Sequence, residues 1–315
     1  MAATMVPEAQ ARPDVLPTDR LLVNGMCRPE LRRRLRRIDG RRNALSVLAL
    51  WTWVVVVWGL AAWAGNPVVW VAAFVAMGPL HVRFAILMHE SAHKLLFERK
   101  PVNDWVGRWL LAYPAFVPVD LYRRGHLAHH RAEFGAGDPD VSFYGGYPCG
   151  RRALQRRLLR DAVGISGWKN FAPILRSVRR PASRRLGLSI LGVQAVLWAL
   201  SWVATGRWWT YPLLWWLPWM TQWRVLNRLR SIAEHGGLEA GDDRRVTTHD
   251  VRQTWLSRLW LVPYNTGWHL AHHVDMGIPW RNLPRFHEEL LVSGYVTDRL
   301  TYPSYRALWR ALAPA

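Results

Sequence analysis

Twelve histidines stand in this chain of 315 residues, and most of them are grouped. The first group reads His89-Glu-Ser-Ala-His93. The second reads His126-Leu-Ala-His129-His130, and the third, His269-Leu-Ala-His272-His273, repeats it letter for letter. On a helix, positions i and i+4 lie about 40° apart, and i+3 falls about 60° to the other side of i. Each HxxHH therefore presents three imidazoles in one stripe, and HxxxH presents two. His235, in Ala-Glu-His-Gly, would add a ninth ligand to these eight. One metal ion takes at most about six, so the set argues for two ions. Imidazole suits iron, zinc, copper and nickel alike. Cys27 and Cys149 are the only cysteines, too few for a thiolate site or a disulfide framework. Glu90 and Glu234 adjoin ligand candidates; each reads equally as an acceptor for an imidazole N–H or as an ordinary helix carboxylate. His249, His287 and His81 stand alone and are expected to be satisfied or solvated side chains. His81 sits eight residues before His89, on roughly the same helix face, which leaves it a supporting role.

Four apolar stretches have to position these groups. Residues 44–64 carry no charge over 21 residues, about 32 Å of helix and enough to span a bilayer. Further spans are expected over about 68–88, 186–205 and 208–226, the last crowded with Trp208, Trp209, Trp215, Trp216, Trp219 and Trp223. They pair into two helical hairpins. The first span starts too late, and is too long, for a signal sequence. Arginines are dense in 28–42 and 94–185, while the two hairpin turns hold only Arg207. The positive-inside bias then places both termini and the long middle segment in the cytoplasm. All three histidine groups and His235 fall on that side, so they can converge without crossing lipid. Residues 104–119 read as an interfacial or re-entrant segment, and 150–185 as amphipathic helix on the membrane surface.

Half the chain is hydrophobic, mean hydropathy is −0.07 and the formal charge is +20. Those averages suggest a soluble nucleic-acid binder, and the distribution contradicts both impressions. The charge marks topology and a surface for anionic lipid, and no nucleic-acid-reading motif accompanies it. Two other classes compete with a redox centre. A membrane zinc hydrolase needs few histidines and usually a carboxylate. A metal transporter should carry its ligands at mid-membrane, and spans 1, 3 and 4 contain none.

Three histidine boxes in this order, with spans between them, make residues 40–295 resemble the membrane fatty acid desaturase/hydroxylase superfamily. The runs RLRSIAEHG (229–237) and PYNTGWHLAHHVDMGIPWRNLP (263–284) are similar to its bacterial fatty acid desaturase branch. The Ile-Pro-Trp-x-x-Leu-Pro tail (278–284) is also similar to sphingolipid desaturases and carotenoid ketolases. The resemblance implies two non-haem iron ions, activation of O₂ and removal of hydrogen from an unactivated C–H bond. By position it makes His89, His93, His126, His129, His130, His269, His272 and His273 iron ligands, with His235 matching an extra one. Asn265 matches a position that holds a metal-bound water in some relatives. Asp138 and Asp140 resemble acidic residues that orient ligating imidazoles. Where family members often have Phe-Pro after the last box, this chain has Asp275-Met276-Gly277, which puts the usual fatty acyl substrate in question. No His-Pro-Gly-Gly motif marks a fused cytochrome b5 domain, so electrons are expected from a separate ferredoxin and its reductase.

The expected fold is an all-α integral membrane protein. Four transmembrane helices in two hairpins carry a cytoplasmic helical cap that holds a histidine-rich dimetal site. Residues 1–40 form a basic, partly disordered N-terminal segment, 41–300 a single membrane domain and 301–315 a tail. The expected activity is desaturation of a C–C bond in a lipid or acyl chain at the inner (cytoplasmic) membrane. Hydroxylation or ketolation of a carotenoid or specialised metabolite is the alternative.

Overall fold

The structure is a computed structural model that describes residues 4–14 and 18–314. The chain divides into two compact units, each discontinuous in sequence. One gathers Met1–Ile38, Arg123–Gln155 and Arg228–Ala315; the other gathers Asp39–Tyr122 and Arg156–Asn227. Apart from a two-residue parallel pair, Asp250–Val251 with Thr301–Tyr302, the regular structure is helical.

The second unit holds three helices long and apolar enough to cross a membrane: Gly40–Ala64, Pro67–Ala92 and Pro181–Thr205. Their ends follow from local chemistry. Asp39 caps the first by accepting the Arg42 N–H at 3.0 Å, and Gly65, at φ +59°, closes it in the left-handed conformation that glycine adopts without penalty. Asn66 then accepts the Val68 N–H at 2.8 Å, and Pro67 opens the next helix at a position whose N–H is not needed. That helix is the centre of the unit, with 61% of its apolar window buried against 28% for each of the others. Trp63 and Val203 are 86% exposed, apolar surface that suits lipid rather than water.

The fourth expected span is not among these helices. Its residues form a π-helical turn, Pro212–Trp216, then Leu217–Met220, and after Thr221 the amphipathic helix Gln222–His235. Pro212 and Pro218 explain the breaks, since each removes a backbone donor and crowds the preceding turn. The broken run is nevertheless central. Trp215 is fully buried, stacked on Trp51 at 5.8 Å and edge-on to Phe84 at 5.2 Å. Its indole donates to the Pro114 carbonyl at 3.0 Å, Trp219 donates to Ala115 at 2.8 Å, and Gln194 donates to Tyr113 at 2.5 Å. Three side chains thus satisfy the carbonyls just beyond the π-helix Val106–Ala112. In apolar surroundings such carbonyls would otherwise have no partner.

The surface segment 150–185 is two amphipathic helices, Arg151–Ala162 and Ile165–Ser177, divided at Gly164, and its last residues already belong to the helix that starts at Pro181. In the first unit, residues 18–38 are ordered around the Leu21–Cys27 bridge and the helix Pro29–Leu35. Residues 1–3 and 15–17 of the segment expected to be partly disordered lie outside the described residues. Leu31, Leu35, Leu270, Ile278, Phe286 and Tyr295 share one core here, so the third histidine box is packed on the N-terminal helix.

Gly167 gives a test of the second unit. A Cβ there would stand 2.8 Å from the Met220 Cα and 2.9 Å from its carbonyl carbon, backbone atoms that cannot swing aside. Gly167→Ala is expected to destabilise the protein by about 1–3 kcal/mol, the usual cost of overpacking, read as a lower thermal midpoint in detergent.

Candidate metal centre

Helical stretches from three parts of the chain bring seven imidazoles together in the first unit. Val119–Arg131 carries His126, His129 and His130 in its last turns. Gln222–His235 ends on His235, and His269–Val274 presents His269, His272 and His273 within six residues. All seven are buried.

The nitrogens converge in two sets. The Nε2 of His130 lies 3.1 Å from that of His126 and 3.2 Å from that of His272. His129, His235 and His273 each offer a ligand atom within 4.8 Å of the others, and the Nε2 atoms of His235 and His269 are 3.1 Å apart. Two nitrogens each about 2.0–2.1 Å from one ion, at a right angle, would be about 3 Å from each other. The observed spacings match that figure.

The opposite ring edges show which nitrogen carries a proton. His235 donates from Nδ1 to the Thr247 carbonyl at 2.8 Å. His273 donates from Nδ1 to Glu133 Oε1 at 2.6 Å, and its Nε2 is buried with no hydrogen-bond partner. His129 donates from Nδ1 to Asp138 Oδ1 at 3.0 Å, and the Tyr144 hydroxyl donates to the other Asp138 oxygen. With Nδ1 protonated, Nε2 is the lone pair, and it faces the cluster. An imidazole fixed by an acceptor at one nitrogen and unsatisfied at the other is the posture of a metal ligand.

Burial pushes His235, His269 and His273 well below the ordinary histidine range, and neighbouring imidazoles push the same way. These rings are therefore neutral, the form that binds metal. His129 shifts upward: burial pulls it down, but the hydrogen bond and charge of Asp138 outweigh that. Burial works against the Asp138 carboxylate, yet donation from His129 and Tyr144 holds it down to about 2. Asp138 thus favours positive charge on the His129 ring, whether from a proton or from an ion at Nε2. Burial raises Glu133 and Glu234 despite Arg244 on the first and Arg230 on the second.

The remaining sequence candidates are placed as follows. Asp140 can share a ligand group with His129 and Asp138 and donates its N–H to Asp138 Oδ1 at 2.9 Å. Glu234 lies 3.5 Å from His269 Nδ1 and pairs with Arg230 at 2.6 Å. Asn265 has a left-handed backbone, φ +61°, four residues before His269. His89 and Glu90 are buried in the other unit, near the end of Pro67–Ala92, with His93 as the capping residue and its ring 4.7 Å from that of His89. His81 accepts no role in either set: its Nε2 lies 3.0 Å from the Trp215 carbonyl. His249 is likewise satisfied, with Nε2 donating to Gly236 O at 2.8 Å. His287 lies 3.6 Å from Asp250.

Sequence reasoning missed Glu133 and Tyr144. Glu133 had a signal, since it follows His130 by three residues and so shares its side of the chain. Tyr144 had none, because a loop brings it back to Asp138. Asp275, in the loop after the third box, is not directed to the imidazoles. It accepts from Arg32 at 2.7 and 3.0 Å and ties the loop to the N-terminal helix.

A family model for fatty acid desaturases matches residues 67–305. The chain is similar to an sn-1 oleoyl-lipid 12-desaturase of Arthrospira platensis, 24% identical over 71% of this chain and 68% of that protein. It is 26% identical to the dihydrorhizobitoxine desaturase of Bradyrhizobium elkanii, over 66% of this chain and 63% of the relative. It is 21% identical to the sn-1 acyl-lipid omega-3 desaturase (ferredoxin) of Synechocystis sp., over 73% of this chain and 68% of the relative. The chain thus spans about two thirds of the length of these curated relatives.

Glu133→Ala removes the acceptor that orients His273 and is expected to weaken metal binding about 10–100-fold, measured by competition with a chromogenic chelator. Acid should act through the same rings. Their pKa values in the folded chain lie below about 6.5, that of free histidine, so the unfolded chain takes up more protons as pH falls through that value. Both metal retention and the stability of the metal-free protein are expected to fall between about pH 7.5 and about pH 5.5, read by metal analysis after dialysis and by thermal melting.

Proposed function

Because the chain belongs to the fatty acid desaturase family, we propose that it is a membrane-bound non-haem di-iron oxidoreductase. It would use O₂ and external electrons to desaturate an unactivated C–C bond of a lipid or acyl chain. The observation that carries this reading is the convergence of seven buried imidazoles in two sets, with Nε2 atoms at 3.1–3.2 Å. One hydrolytic zinc does not call for so many. We assign His126, His129, His130, His235, His269, His272 and His273 as iron ligands on this geometry, and His89 and His93 on their HxxxH spacing and the family. When bound, the two irons would supply O₂ activation and removal of hydrogen.

The protein's own contribution is to hold these ligands. Asp138, Glu133 and the Thr247 carbonyl fix the tautomers of His129, His273 and His235. Burial keeps three of the rings neutral and separates the centre from bulk water. The apolar helices supply a membrane environment from which an apolar substrate would enter. One relative is named for an acyl-lipid and another for dihydrorhizobitoxine, so the family admits both a lipid and a smaller metabolite. Another is named with a ferredoxin. The exposed arginines of Arg151–Ala162 would suit an acidic donor of that kind. We place the termini and the metal centre in the cytoplasm at the inner membrane, with 208–226 as a fourth, broken crossing. Arginine-rich segments at 28–42 and 94–185 on one side require an even number of crossings between them, and Arg228, Arg230, Arg244 and Arg245 after 226 extend the same bias to the C-terminal part.

Purified protein is expected to hold about two iron ions per chain, and products from candidate lipids, with ferredoxin and its reductase, should weigh two hydrogens less. Fully active protein with zinc alone would overturn the reading, and a gain of oxygen would make it a hydroxylase. His129→Ala should abolish turnover and lower iron content, with His249→Ala near neutral in both. In intact cells, single cysteines at Asn66 and Arg207 should react with an impermeant reagent, and one at Arg156 only after permeabilisation.

A further inference from the structure

The third histidine box is a helix of only six residues, His269–Val274. That is less than two turns, too short to hold its own position. His269, His272 and His273 occupy one side of it, and Leu270, Ala271 and Val274 the other. The apolar side is buried in a core shared with Leu31 and Leu35 of the helix Pro29–Leu35. The direction of three ligand candidates is therefore set from behind, by a helix at the other end of the chain.

Apolar contact is non-directional, so by itself it lets a short helix slide or turn. One directional tie removes that freedom. Arg32, next to Leu31, donates from Nε to Asp275 Oδ2 at 2.7 Å and from Nη2 to Asp275 Oδ1 at 3.0 Å. Asp275 is the C-cap of the box helix, and its side chain is 1% exposed. A buried carboxylate needs its partner, and a two-pronged guanidinium bond fixes angle as well as distance. Asp275 Oδ1 also accepts the Gly277 N–H at 3.1 Å, and a Cβ at Gly277 would stand 3.3 Å from Nε and Cζ of Arg36. Asn282 then donates to the Leu35 carbonyl at 2.7 Å. The acid, the glycine and the amide of this loop thus all meet residues 32–36. Those residues precede 67–305, the part of the chain that the family model matches.

We propose that Arg32 is a positioning residue of the metal centre. Through Asp275 it fixes the last turn of the box helix, and with it the direction in which His272 and His273 present their Nε2 atoms. The inference deepens the proposed function, from which it takes these histidines as metal ligands. Metal binding needs neither substrate nor electrons, so it can be measured apart from turnover.

The experiment measures the affinity of the full chain in detergent for cobalt(II), by competition with a chromogenic chelator and without electron donor. Arg32→Gln keeps most of the stem and loses the charge and the fork, and should weaken cobalt binding about tenfold. Asp275→Asn should do the same. The double variant should bind no more weakly than the weaker single one, because both changes break one tie. Arg32→Lys keeps the charge without the fork and should be only about threefold weaker than wild type. Arg20→Ala cuts a different tie of the same segment, to Glu289 at 2.6 Å. It should leave the affinity within about twofold of wild type even where it lowers the thermal midpoint. Losses that add in the double variant would overturn the proposal, since Arg32 would then act otherwise than through Asp275. So would an equal loss in Arg20→Ala, which would mark a general loosening, or wild-type affinity in Asp275→Asn. If Arg32→Gln does not fold, Asp275→Asn alone reads the same tie. A wild-type protein that binds no cobalt would overturn the proposed function and this inference together. Cobalt bound as expected, with no candidate substrate turned over by the iron form, would overturn the desaturase reading alone.

Discussion

The arrangement that everything else serves is a set of neutral imidazoles aimed Nε2 to Nε2 inside the protein. Two unprotonated nitrogens at 3.1 Å repel unless a proton or a cation lies between them. His235 keeps its proton on Nδ1, donating it in a hydrogen bond to the Thr247 carbonyl, and His273 does the same toward Glu133, so both rings present Nε2 lone pairs. Burial removes the alternative of protonating them cheaply. A shared cation makes the whole set attractive at once. Asp138, Glu133, Tyr144 and Arg244 are the outer layer that keeps each ring turned the right way.

The carboxylates divide this work according to their surroundings. Asp138 is held ionised by two donors and balances charge on His129. Glu133 and Glu234 sit in drier places, are raised by burial, and are each bound by an arginine. Arginine suits that position because it stays charged when buried and offers a fork of donors. The arginine-rich composition therefore has an internal use as well as a topological one. Arg32, Arg230 and Arg244 all end on carboxylates.

The histidine cluster was largely legible in the sequence because helical spacing converts directly into a shared face. The two HxxHH boxes and His235 lie together in the first unit, and Asp138 accepts from His129 at 3.0 Å. Glu133 was readable by its i+3 relation to His130 but carried no motif of its own. Tyr144 depends on a loop, which spacing does not encode. In the membrane part, the three longest apolar helices followed from hydropathy and length. The run 208–226 did not, because a window average counts its tryptophans and passes over Pro212 and Pro218. The indoles there serve as donors to backbone carbonyls, a role that hydropathy does not represent. His249 and His81 shared the residue type of the ligands without the spacing, and each meets a backbone carbonyl through Nε2.

The unit that holds the seven imidazoles is assembled from three separate stretches of chain, with the apolar helices threaded between them. Its later part includes the helix Tyr305–Leu312, which buries Leu308 and Leu312 and receives the Cys149 N–H on the Leu312 carbonyl at 2.9 Å. The first HxxHH box is synthesised some 140 residues before its partner box, and still earlier than the helix that finishes the unit. An ion that needs both boxes would therefore be held only once the later stretches of the unit have been made, on a completed fold rather than a growing one.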